Sequence, residues 1–148
     1  MKIDLDYLQL LLVTAIESDR SFITINDWKK KDIKFDGFNK PLDEKFIFHL
    51  RILMDNGLIQ SIKTEGKPVT LESLGVMVLQ NASHIITNEI PIRLTQKGHD
   101  FANVLENSEV LNKLKTNFKN MTFDMIFDTG KKIVSAIANK KLEDLGLS

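Results

Sequence analysis

Three histidines, at positions 49, 84 and 99, are the first residues to weigh for chemistry. A zinc site needs about four nitrogen, sulfur or oxygen ligands arranged tetrahedrally. None of His49, His84 and His99 has a second histidine three or four residues away, the spacing that would bring two imidazoles to one helix face. Cysteine is absent, which excludes thiolate ligands and disulfides alike. His99 and Asp100 are adjacent but do not converge. Each histidine therefore reads as a surface or partly buried side chain. His49 lies at the edge of an apolar helix face, within reach of a hydrogen bond to the β-segment that follows. Ser83-His84 lacks the nucleophile elbow of a serine hydrolase. Gly66-Lys67-Pro68 has neither the upstream glycines nor the following hydroxyl of a phosphate-binding loop. The acidic residues are spread along helix surfaces without a pair suited to proton transfer. No catalytic constellation, metal site or cofactor site is expected.

The elements that carry these residues follow from composition and pattern. With 148 residues, 43% of them hydrophobic and 27% charged, the chain has the make-up of an ordinary globular domain, or of one small domain with an extension. Twenty basic residues balance twenty acidic ones, so no overall charge draws the chain to nucleic acid or to an anionic membrane. The apolar run at residues 10–13 is far too short to span a membrane. Asp4 and Asp6 stand where a secretory signal would be basic, so a cytoplasmic location is expected.

The stretch FIFHLRILMDNGLI, residues 46–59, organises the rest. Phe46, Leu50, Leu53 and Met54 recur at helical spacing and share one face. Asn56 and Gly57 stop the helix, because glycine takes the left-handed conformation without a side-chain penalty. The central helix is expected over 41–56, a first β-segment over 58–64 and a returning strand over 90–94. Between them, 69–87 is a long insertion, with a short helix or strand at 71–80 and an extended piece at 84–87. Ahead of the central helix come a helix over 4–18, capped by Asp4 or Asp6, and a β-prone piece over 21–25. A short helix through Trp28 follows, capped by Asn26 or Asp27. Thr95 is expected to cap a helix over 96–107, with Gly98 in its first turn to let two backbones approach. Ser108 would cap a helix over 108–119. Thr122 would cap a last one, whose stripe is Phe123, Ile126, Phe127, Ile133, Val134, Ile137 and Leu145. Lys29, Lys30 and Lys31 form the only basic cluster of the front half. They read as a solvated loop or a phosphate-contacting element, and Asp27, Asp32 and Asp36 dilute their charge.

Two motifs carry a resemblance. HLRILMDNGLI (49–59) and IRLTQKGHDFANVL (92–105) resemble the winged-helix superfamily, with Leu53, Gly57, Leu58 and Ile59, then Leu94, Thr95, Gly98 and Phe101, on its signature positions. The tail, with Glu109, Val110 and the region of Lys113 and Lys115 before a closing amphipathic helix, is similar to one bacterial and phage-encoded family of unknown function. The resemblance implies an α+β, mostly α fold: a winged helix-turn-helix over 1–107 with an enlarged β-wing, and a two-helix C-terminal extension over 108–148 suited to dimerisation. It supplies no mechanism.

In most winged helices the central helix enters the major groove. That precedent implies double-stranded DNA as a partner and transcription regulation as a role. Lys45, His49 and Arg51 would lie on the helix, Lys63 and Lys67 on the wing, and Lys29, Lys30 and Lys31 on phosphates. The alternative is contact with a protein or with a second copy, without DNA. Phe48 and Ile52 would form one apolar strip for it, and Phe127, Ile133, Val134 and Ile137 another, on the last helix. The bland reading of Phe48 and Ile52 is cover by the insertion or by the C-terminal helices.

Overall fold

The computed structural model describes residues 1–34, 43–78, 85–117 and 119–147. The fold is α+β and mostly helical. Helix α1 (Leu5–Ile16) leads through Ile23 to the short α2 (Ile25–Lys29), then to α3 (Glu44–Asp55) and β1 (Ile59–Ser61). A hairpin of β2 (Val76–Val78) and β3 (Ile85–Thr87) precedes β4 (Ile92–Leu94), and α4 (Gln96–Glu106), α5 (Ser108–Asn117) and α6 (Phe123–Asp144) complete the chain. β1 pairs antiparallel with β4, Ile59 opposite Leu94 and Ser61 opposite Ile92. Ile23 adds a single antiparallel bridge to Ile92, so three chain segments meet at that residue. β2 and β3 pair separately, Val76 opposite Thr87.

Local chemistry explains most boundaries. The Asp4 carboxylate accepts from the Tyr7 N–H at 3.0 Å and caps α1. Asp43 accepts from the Phe46 N–H at 2.9 Å and caps α3, which therefore begins at Glu44; Pro41, expected to open this helix, lies outside the described residues. α3 ends at Asp55, and Gly57 takes φ +65° just beyond it. Thr95 caps α4 through the Gly98 N–H at 3.0 Å. An added Cβ on Gly98 would stand 2.0 Å from the Leu58 carbonyl oxygen, so α4 can lie against the start of β1 only because this residue has no side chain. Thr122 caps α6 through the Met125 N–H.

Several expectations need correction. α2 is capped by Thr24, with Asp27 returning the contact to the Thr24 N–H at 2.8 Å, rather than by Asn26 or Asp27 acting alone. α5 is capped by the Asn107 side chain, which accepts from the Glu109 and Val110 N–H groups, and Ser108 is already helical. The first β-segment is shorter than 58–64, because Ile62–Thr64 tightens into a 3-10 turn. The ambiguous stretch after Thr70 is both things in turn, a 3-10 turn at Glu72–Leu74 and then β2. The expected element at 71–80 and the extended piece at 84–87 are described only as far as Val78 and from Ile85.

The core joins α1, α3, the β1–β4 pair and α4, with Leu8, Leu12, Phe46, Leu50, Leu53 and Phe101 inaccessible to solvent. α1 packs chiefly on α4, with α2, α5 and β4 at its flanks. Trp28 is buried beside Phe46, and its indole N–H donates to the Leu11 carbonyl at 3.0 Å. α6 packs on α4 and α5. Phe123 and Phe127 there meet Phe101 edge-on, at centroid distances of 4.9 and 5.4 Å.

Candidate functional site: a groove and a projecting helix end

On α3, Phe46, Leu50 and Leu53 point into the core, together with Ile47 and His49. Helical spacing then sets Glu44, Phe48, Arg51 and Asp55 along one outward line. Glu44, Arg51 and Asp55 are exposed and Phe48 is half-buried. One arginine between two carboxylates does not make a positive helix face.

His49 is not part of that outward line. It is 1% exposed, which corrects its place among DNA-contacting residues. Its Nε2 accepts from the Asp4 N–H at 2.9 Å. That acceptor role puts the proton on Nδ1, which then donates to the Lys45 carbonyl at 2.7 Å. The neutral imidazole thus pins the start of α1 to α3, and its partner is the chain before α1 rather than the β-segment. Burial lowers its pKa below the ordinary 6.5, against the raising pull of the Lys45 carbonyl and the Asp4 carboxylate. At Asp4, burial works to raise the carboxyl, but the Lys45 ammonium and the Tyr7 N–H outweigh it, and the net shift is downward.

The other cationic candidates fall into two groups. Lys45 is committed within the molecule: its ammonium lies 2.9 Å from the Asp4 carboxylate and 4.9 Å from the centre of the Tyr7 ring. Lys31 pairs with Glu17 at 3.1 Å, and the Lys29 ammonium lies 3.5 Å from the Thr87 hydroxyl, next to the β2–β3 hairpin. Lys30, Arg51, Lys63 and Lys67 are exposed.

Phe48 leads to a different feature. A groove of about 600 Å3 opens between the chain start, α3, α5 and the start of α6. Ile3, Phe48, Leu114, Met121 and Ile126 form its apolar floor, and Lys2, Lys115 and Lys119 stand around it. Lys115 is held by Asp6 at 2.6 Å, and Asp4 by Lys45, so both lining carboxylates are neutralised internally. Lys2 and Lys119 have no such partner among the described residues. Phe48 thus faces a concavity bordered by the C-terminal helices but not filled by them. Ile52 packs against the edge of the core.

The four candidates on α6 divide. Phe127 is 7% exposed, lies over Phe101 and is flanked by the Lys97 and Lys131 ammonium groups, so it belongs to the chain's own interior and not to a free surface. Gly130 is the last buried residue of the helix. Ile133, Val134 and Ile137 are half-covered, and from Ala138 onward every described residue is exposed. α6 nevertheless runs on to Asp144 and closes with two hydrogen bonds, Gly146 N–H to Glu143 O at 2.9 Å and Leu147 N–H to Leu142 O at 2.8 Å. With Gly146 at φ +70° this is a Schellman closure, which folds the residue after the glycine back over the last turn. Leu142, Leu145 and Leu147, exposed by 42, 71 and 67%, are gathered at the tip. Leu142, Leu145 and Leu147 were all missed as candidates, Leu145 having been read only as part of the apolar stripe. The Leu-x-x-Leu-Gly-Leu spelling, with its glycine one residue from the end of the helix, was the signal that could have found them.

Among the described residues, no group of three or more histidines, aspartates and glutamates is placed to hold a metal ion, and no helix is long and apolar enough to cross a membrane. No family model matches the chain, and no solved structure matches it. An uncharacterised protein of Haemophilus influenzae is 29% identical over 107 residues, 72% of this chain and 76% of that protein, and that similarity brings with it no activity, ligand or partner.

Proposed function

We propose that this chain is a winged-helix protein without catalytic function that works by self-association, docking to a second copy through the projecting end of α6. The winged-helix reading is supported by the order of elements, in which α1, the Ile23 bridge, α2 and α3 precede a β1–β4 pair that leads into α4. The docking reading is carried by one observation: α6 continues well past Gly130, its last buried residue, and ends in three exposed leucines. Covering an exposed leucine contributes about 1.5–3 kcal/mol, and three such side chains on one pre-formed tip are a substantial unspent interaction. The readout is mass by light scattering over a concentration series. The full chain associates, and a variant with Leu142, Leu145 and Leu147 changed to serine remains a monomer. A wild-type chain that is monomeric throughout ends this reading.

A second reading, DNA contact and transcription regulation, is favoured by Lys30, Arg51, Lys63 and Lys67, which are exposed and have no acidic partner among the described residues. Against it stand the two carboxylates beside Arg51, the withdrawal of His49 and the internal pairing of Lys45. Anisotropy of a labelled duplex separates the two readings, since phosphate contacts must weaken steeply as salt rises. Absence of binding at low salt removes the DNA reading.

A further inference from the structure

The groove and the leucine tip are complementary to each other. The groove has an apolar floor and two ammonium groups, from Lys2 and Lys119, without an acidic partner among the described residues. The tip has three exposed leucines, and the carboxylates of Glu143 and Asp144, between Leu142 and Leu145 in sequence, flank their helical face on either side. Lys140 and Lys141 lie just before Leu142, so the negative charge belongs to the very end of the helix, the part that would enter first. Leu142 and Leu145 are three apart on one helical face, the spacing with which an amphipathic helix anchors in a groove. The groove volume of about 600 Å3 lies within the range of pockets that enclose small, mostly apolar groups.

Within one molecule the two cannot meet. Ile126, in the second turn of α6, lines the groove, and α6 is one continuous helix from there to Asp144. At 1.5 Å per residue, Leu145 lies about 28 Å further along the axis. The tip is carried away from its own groove by the helix that helps to build it.

We propose that the leucine tip of α6 seats in the groove of a second copy of this chain, and that two copies exchange helix ends reciprocally. This deepens the self-association reading and rests on it. Reciprocal exchange closes the assembly about a two-fold axis, because each protomer offers one tip and one groove and both are used. Ile3, Phe48 and Met121, the half-buried apolar residues of the groove, cover the leucines, and Lys2 and Lys119 meet Glu143 and Asp144. The chain start, which His49 pins to α3, is one wall of the receiving site.

Two variants and their mixture test this on the full chain. A tip variant carries Leu142→Ser and Leu145→Asp. A groove variant carries Phe48→Glu and Lys119→Glu. Each is expected to be monomeric by light scattering and to keep a cooperative melting transition that no longer shifts with concentration. An equimolar mixture regains a dimer, because it restores one intact tip in one intact groove. Lys2→Glu and Lys119→Glu, each at an exposed position, keep the test valid if Phe48→Glu fails to fold. Each should weaken dimerisation by about tenfold or more, since a charge-assisted contact becomes a like-charge clash. If the tip variant is monomeric while all the groove variants still dimerise, the tip docks elsewhere; the groove proposal is overturned and self-association stands. Failure of the mixture to dimerise overturns the docking of tip in groove, and a wild-type chain that grows beyond a dimer with concentration overturns its reciprocity. A wild-type monomer at every concentration overturns self-association itself, and this proposal with it.

Discussion

The two halves of α6 have similar apolar content and opposite surroundings. From Phe123 to Gly130 the helix lies on α4 and α5, with Phe123 and Phe127 against Phe101. An added Cβ on Gly130 would stand 2.5 Å from a Val104 methyl group, so the glycine lets the helix come close. From Ala138 to Leu147 every residue is exposed, although Leu142, Leu145 and Leu147 are as apolar as anything in the first half. One half contributes to the stability of the fold. The other leaves its apolar groups exposed. An apolar stripe says that a surface needs cover, not where the cover comes from.

Substitutions sharpen that contrast. Phe127→Ala should cost about 3–5 kcal/mol in denaturant unfolding, because it empties a packed aromatic site. Leu50→Ala or Leu53→Ala should cost about 2–5 kcal/mol by the same measurement, and a near-neutral result would mean that α3 presents a different face. Gly130→Ala should cost about 1–3 kcal/mol through overpacking against Val104, unless Val104 can turn aside. Thr122→Ala should cost about 0.5–2 kcal/mol, the usual worth of a helix cap. Leu145→Ser should change the unfolding free energy of the monomer by no more than about 0.5 kcal/mol while abolishing association. If Leu145→Ser destabilises the monomer as Phe127→Ala does, the two halves of α6 are not different in kind.

The contact between the chain start and α3 adds a pH dependence that α6 does not share. His49 has a lowered pKa in the folded chain, so the unfolded chain takes up the proton first. Its contribution is present above the ordinary 6.5 and is lost as pH falls through the lowered value. Asp4 behaves in the same sense over a more acidic window, beginning near its ordinary 3.8. Melting temperature followed downward from neutral pH should therefore show an early loss, absent in His49→Gln, and a later one, reduced in Asp4→Asn. A melting temperature that is flat from neutral pH down to the carboxylate range would mean that the imidazole is not held neutral.

Much of the fold was legible because the signals were local. Gly57 ends α3, Thr95 opens α4, Thr122 opens α6, and Gly98 permits a close backbone approach, all as their residue types suggested. The misreadings came from choices between neighbours that only geometry resolves. Asn107 caps α5 in place of Ser108, and Thr24 caps α2, because the cap is whichever oxygen the entering backbone aims at the free N–H groups. Of the candidate site residues, Arg51, Lys30, Lys63 and Lys67 could be recognised as exposed. His49 could not be recognised as buried, since its partner, the Asp4 N–H, lies 45 residues away in sequence.

Side-chain spacing, caps and glycines were enough to set the helices, their ends and which face of α3 turns inward, because each depends on atoms within a turn or two of chain. Tertiary packing alone decided the rest. It sent His49 inside, closed Phe127 over Phe101, opened the groove beneath Phe48 and carried the leucine tip beyond the reach of its own core. These outcomes depend on the relative placement of elements far apart in sequence, and a one-dimensional pattern of polar and apolar residues holds no measure of that distance.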